Sequence, residues 1–222
     1  MKTLKKALSG LAIAASFAAV PASATVITVT GFAQPSPTTV HINSLAPATA
    51  LYVYSGGFNT TDGVNNFVSW CVDIIQGTYF NQPVTDYTLV SAASVSQIGA
   101  TRADALSRLA TSYLGQVNNG ANSGAFQLAV WEIVYETAGV PYDIATGNFS
   151  AFGANNSAIT TAQSWLTNLG TTSSYDVNVL VSGTRQDLAV FTTVPEPGTV
   201  ALLGIGLLGL GFAARRRSRS AV

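Results

Sequence analysis

Two side chains of this sequence could react with one another: the thiol of Cys71 and the amide of Gln127, 56 residues apart. Cys71 lies in 67–75, FVSWCVDII, whose alternation predicts a strand. That spacing puts Val68, Trp70, Val72 and Ile74 on one face, the core face, and Ser69, Cys71 and Asp73 on the other. Cys71 reads either as a small buried hydrophobe or as a reactive thiol. Gln127 lies in 125–133, AFQLAVWEI, near the start of the most apolar helical stretch. An amide among Phe126, Ala129, Val130 and Trp131 needs a partner, or its burial costs a few kcal/mol. It can bond to backbone groups near the helix start. Alternatively, the sulfur of Cys71 attacks the side-chain carbonyl of Gln127 and ammonia leaves. The product is an internal thioester, an acylating group held until a nucleophile arrives.

The remaining candidates are weaker. Asp73 shares the strand face of Cys71, ~7 Å along the strand, and reads as a base or as a hydrogen-bonded structural acid. Glu132 reads as an exposed charge. His41 is the sole histidine, so neither a histidine metal site nor a Cys–His protease is expected. Asp62-Gly63 has too few carboxylates around it for a calcium loop. No metal, no cofactor and no turnover enzyme are expected.

Trp70-Cys71-Val72 and Gln127-Leu128-Ala129-Val130-Trp131 resemble the two motifs of the Cys–Gln thioester domain of Gram-positive surface adhesins. The chain departs from that pattern at Trp70, where Tyr or Phe is usual, and at Phe126, where a smaller residue is commoner. The resemblance covers 45–193. It implies a domain of β-structure with helices, a Cys71–Gln127 cross-link supported by Trp70, Asp73 and Trp131, and covalent attachment to an amine- or hydroxyl-bearing partner. Such a protein acts once and does not turn over. The alternative is a structural or polysaccharide-associated biofilm matrix protein of the same fold that works without a covalent bond.

The elements that would position this pair form a mixed body over 25–193. Strands are expected at Thr25–Phe32, 50–55, 67–75 and 87–92, with turn chemistry over 59–66. Helical spacing follows over 100–117, then 122–138 with Asn122-Ser123 as its cap, then 156–169. The helix over 122–138 is apolar nearly all round and should be central and buried. Tyr175–Val181 and 187–193 read as a closing strand pair around Ser182-Gly183. The fold class is α+β: an antiparallel, sandwich-like sheet body with an insert of about three helices.

Basic residues cluster at the ends. All three lysines, Lys2, Lys5 and Lys6, precede a run of small and apolar residues, and Pro21-Ala22-Ser23-Ala24 supplies an A-x-A cleavage site. Residues 1–24 therefore read as a signal peptide with a signal helix, cut after Ala24 by signal peptidase. Residues 25–193 hold three arginines against nine acids, a net charge of −6 with no lysine. Nucleic acid is excluded as a partner.

At the other end, Pro195-Glu196-Pro197 refuses helix, 198–214 is 17 residues without a charge, and Arg215, Arg216, Arg217 and Arg219 follow. The uncharged stretch reaches ~26 Å as a helix, enough for a thin bilayer. This order resembles the PEP-CTERM sorting signal and covers 194–222. The resemblance implies an exosortase that processes the chain near the PEP motif. The route implied is export through an inner-membrane intermediate to the cell surface or extracellular matrix of a Gram-negative bacterium that makes exopolysaccharide.

Overall fold

A computed structural model describes residues 24–137, 139–153, 156–194 and 202–208. The signal helix expected over 1–24 lies outside them except for Ala24, as do Pro195, Glu196 and Pro197. Residues 202–208 are helical and exposed, and the rest of the uncharged 198–214 stretch, apart from these, is not described. Among the described residues no helix is long and apolar enough to cross a membrane.

The β-branched run of β1 (Thr25–Phe32) turns Ile27 and Val29 inward and pairs antiparallel with β4 (Phe58–Thr61) and β6 (Val84–Ser91). β5 (Asn66–Cys71) pairs with β4 and with β9 (Leu188–Thr193), and β8 (Tyr175–Val181) joins β9 to β6. These six strands close a barrel in the order β1-β4-β5-β9-β8-β6. A separate sheet of three strands has the order β3-β2-β7, with β2 at Thr38–Leu45, β3 at Ala48–Ser55 and β7 at Phe149–Phe152. The antiparallel body and its helical insert match the α+β expectation. The sandwich does not: one sheet curls until its edges pair, which removes them.

Three α-helices of the body follow β6 among the described residues. α1 (Gly99–Tyr113) ends in a 3-10 turn, Leu114–Gln116. α2 (Gly120–Tyr135) is buried along almost its whole length. It touches the small sheet, β5, α1 and α3 (Asn156–Thr167), so its apolar residues on every side meet a neighbour. Its cap is Asn119, whose side chain accepts from the Asn122 N–H at 2.9 Å, not the expected Asn122-Ser123 pair. Ser123 instead ties the helix to the β3–β4 corner, accepting from the Gly57 N–H at 3.0 Å.

Two boundaries bear on the site. The strand expected over 67–75 stops at Cys71, because the Asp73 carboxylate accepts from the Ile75 and Gln76 N–H groups and turns the chain. Alternation also fails there. Ser69 is buried, its hydroxyl bonded to Thr60 at 2.6 Å, while Val68 is 41% exposed. α2 covers the Trp70 end of β5 and leaves Val68 to solvent.

Candidate functional site

Cys71 is the last residue of β5. On one side β5 pairs with β9, Cys71 opposite Leu188. On the other side β4 begins at Phe58, opposite Ser69, so no strand residue stands opposite Cys71. The side chain of Gln127 takes that place. Its Oε1 accepts from the Cys71 N–H at 2.9 Å, and its Nε2 donates to the Cys71 carbonyl at 2.8 Å. Both residues are buried. The partner that the buried amide needs is thus the backbone of Cys71, not the start of its own helix.

α2 presents three polar tips at four-residue spacing, on one face. Gln127 holds Cys71. One turn on, the Trp131 Nε1–H donates to Cys71 Sγ at 3.4 Å. A further turn on, the Tyr135 hydroxyl donates to the Val72 carbonyl at 3.0 Å and accepts from the Ile74 N–H at 3.1 Å. Tyr135 escaped the sequence reading. The signal was there: hydrogen-bonding tips at 127, 131 and 135 on a helix otherwise almost wholly apolar.

Trp70 packs the strand against the helix. Its ring packs on Phe126 with centroids 4.4 Å apart, pressing β5 onto α2. Gly57 makes room for it, since a Cβ there would lie 2.9 Å from the indole. Asp73 faces the sulfur with its main-chain carbonyl, which accepts the Cys71 S–H at 2.8 Å and a Gln186 Nε2–H at 2.9 Å. Its carboxylate is occupied by the turn. Burial pushes the Cys71 thiol well above the ordinary range; the Trp131 and Asp73 hydrogen bonds act the other way, and the charges of Asp73 and Asp187 add to the rise. The thiol is neutral and proton-bearing as it stands.

The pair lies on the wall of a half-open cleft of about 470 Å³, between the β2–β3 hairpin and the loop after Cys71. Phe32, Tyr52, Tyr54, Phe58, Phe80 and Trp131 line it, and among the described residues no lining side chain is an acid, a histidine, a lysine or an arginine. That volume is within the ~300–1,000 Å³ of small-molecule sites.

Glu132 corrects the expectation of an exposed charge. It is fully buried, with Oε1 accepting from the Asp143 N–H at 2.8 Å and Oε2 without a partner among the described residues. Burial, with Glu136 and Asp143 adding to it, pushes its carboxyl up to about 8. His41 lies away from the sulfur, between Tyr52 and Phe152, with both ring centroids at 4.5 Å. Among the described residues no group of acids, histidine and cysteine could hold a metal.

The model of the PEP-CTERM protein-sorting motif matches residues 193–217. The chain therefore carries the sorting signal of an exported protein that is held at the membrane and processed by an exosortase. The described body is similar to a solved structure, the N-terminal thioester domain of a surface protein from Clostridium perfringens, at 13% identity over 71% of this chain and 100% of that one, with a TM-score of 0.39. No curated protein matches the chain.

Proposed function

We propose that the body of this exported protein carries an internal thioester between Cys71 and Gln127 and uses it for covalent attachment at the cell surface or in the extracellular matrix. The observation that carries the reading is the seat of the Gln127 amide. Both of its polar atoms are held by the residue whose sulfur would attack it. The Cys71 N–H on Oε1 polarises the carbonyl and stabilises the negative oxygen of a tetrahedral intermediate, as an oxyanion donor does. The C–S bond forms at Cδ, the C–N bond breaks, and the thiol proton leaves with Nε2 as ammonia. In the later step the Trp131 N–H supports the sulfur as it departs.

Intact mass of the exported, processed protein tests this. The expected mass is one ammonia below that of the processed sequence, and after hydroxylamine treatment Cys71 is alkylated once the protein is denatured. A full-sequence mass would sink the thioester. It would favour the second reading, a non-covalent matrix protein, for which the same two hydrogen bonds simply satisfy a buried amide. Matrix association surviving both Cys71→Ala and Gln127→Ala would then be expected.

A further inference from the structure

We infer that the cleft beside Cys71 and Gln127 selects an uncharged hydroxyl nucleophile on a body with apolar C–H faces, such as a polyol or a pyranose ring, over the ammonium group of a lysine side chain. This rests on the thioester reading and adds the class of its target.

Charge is the first argument. Among the described residues no side chain lining the cleft is an acid, so an ammonium group entering it would shed water and meet no carboxylate on the walls. The nearest carboxylates, Asp73 and Asp187, act on the sulfur but do not line the cleft, and the Asp73 carboxylate is taken up by the Ile75 and Gln76 N–H groups. A hydroxyl enters at far smaller desolvation cost.

The walls are the second. Tyr52 and Tyr54 share one face of β3 and are 78% and 64% exposed. Phe32 meets Tyr54 at 6.0 Å and Phe80 at 5.4 Å, both edge-on, so these rings brace one another. His41 holds the Tyr52 ring edge-on at 4.5 Å. Braced aromatic faces with negative π-clouds suit the slightly positive C–H face of a sugar or polyol.

The third is an orphaned acceptor. Gln76 lines the cleft, and its Oε1 is buried with no hydrogen-bond partner among the described residues. A buried acceptor without a donor is costly, and a turn of the Gln76 amide toward the cleft would let a ligand hydroxyl supply one.

The proton has a destination although, among the described residues, no acid or histidine lines the cleft. The hydroxyl oxygen bonds to Cδ of Gln127, the Cδ–Sγ bond breaks, and the hydroxyl proton passes to the departing sulfur. The products are an ester on Gln127 and the neutral Cys71 thiol. Burial makes that sulfur a strong base as it leaves, so it serves as its own proton acceptor.

The test starts with protein whose mass shows the loss of ammonia. A full-sequence mass at this stage would overturn the thioester itself, and the target class with it, before any nucleophile is added. Parallel incubations then use a methyl pyranoside, glycerol, a serine peptide and an Nα-acetyl-lysine amide at one concentration and neutral pH, with adduct mass read over time. The expected result is an ester with the pyranoside, formed about ten-fold or more faster than the lysine amide adduct. Tyr52→Ala with Tyr54→Ala should slow the pyranoside reaction by about ten-fold and leave hydroxylamine release unchanged. A lysine adduct forming as fast as the ester would overturn the proposal, and so would a pyranoside rate indifferent to the two tyrosines. A serine peptide outpacing the pyranoside would keep the hydroxyl and overturn the ring-binding wall.

Discussion

At the residue scale, two buried groups are held in their neutral forms. The Cys71 thiol keeps its proton because burial disfavours the thiolate, so the free thiol is a poor nucleophile toward outside reagents. Glu132 keeps its proton to about pH 8 for the same reason, with the carboxylates of Glu136 and Asp143 adding to it. Its effect on stability has a definite sign. Below the ordinary value of 4.5 both folded and unfolded chains are protonated there. Between 4.5 and about 8 the unfolded chain ionises while the folded one retains its proton. Stability should therefore fall as pH rises through that window, by at most about 1.4 kcal/mol per pH unit, and level off above it. Glu132→Gln keeps an acceptor for the Asp143 N–H and removes the titration. The variant should lose this part of the slope and gain roughly 1–3 kcal/mol over the wild type at the alkaline end. Urea unfolding across the window reads both; parallel pH profiles for the two proteins would refute the assignment.

At the element scale, the site depends on how closely α2 approaches the small sheet. Gly124 sets that distance: a Cβ there would lie 2.6 Å from Thr38 Oγ1 and 2.7 Å from its Cβ, and the Gly124 carbonyl accepts from the Ser55 hydroxyl at 2.8 Å. Gly124→Ala should cost about 1–3 kcal/mol by overpacking and displace the helix that carries Gln127, Trp131 and Tyr135. Gly115→Ala, where nothing lies within 4 Å of the added methyl, is the control and should change stability by less than about 1 kcal/mol. Equal denaturation midpoints for the two variants would show that α2 is not held by this contact. The same close packing explains what the sequence made legible. β1 and β8 occur at the boundaries their β-branched alternation predicts, and α2 is buried as its all-round apolarity requires. Three strands were missed. β4 and β7 have four residues each, too few to show a period, and β2 mixes Thr, His, Asn and Ser between prolines and a turn. Its inward set, Thr38, Val40, Ile42 and Ser44, alternates as a strand should but is half polar. Glu132 was misplaced because a charged residue on a helix defaults to solvent, and only the loop folded over it supplies the Asp143 N–H. Cys71 and Gln127 could be singled out as oddities, but their meeting depends on where β4 begins, which no local pattern encodes.

At the scale of the whole molecule, the body and the sorting signal meet without a spacer. β9 ends at Thr193, opposite Tyr175 of β8, and the Val194 N–H donates to the Ser174 carbonyl at 3.0 Å. The matched sorting motif begins at residue 193. Pro195 follows at once and has no N–H with which to extend a ladder. A cut near the PEP motif would therefore leave the barrel closed and every hydrogen bond of the site in place. Processing and the proposed thioester are then separable, which makes the sorting step testable alone. Replacing Pro195, Glu196 and Pro197 together by alanine exchanges a segment that refuses helix for the best helix former, next to an uncharged run that can continue it. Export should be unaffected, because the substitution leaves the basic and apolar pattern of residues 1–24 unchanged. Processing should stop, and the variant should accumulate as a membrane-held form that retains Arg215 to Arg219. The mass defect expected of the proposed Cys71–Gln127 link, measured after detergent extraction, should equal that of the processed wild type, since the body ends before the substituted residues. Membrane fractionation with an antibody to the body, followed by mass of the C-terminal peptide, reads the outcome. An alanine variant trimmed at the wild-type rate would show that Pro195-Glu196-Pro197 is not what the processing enzyme recognises.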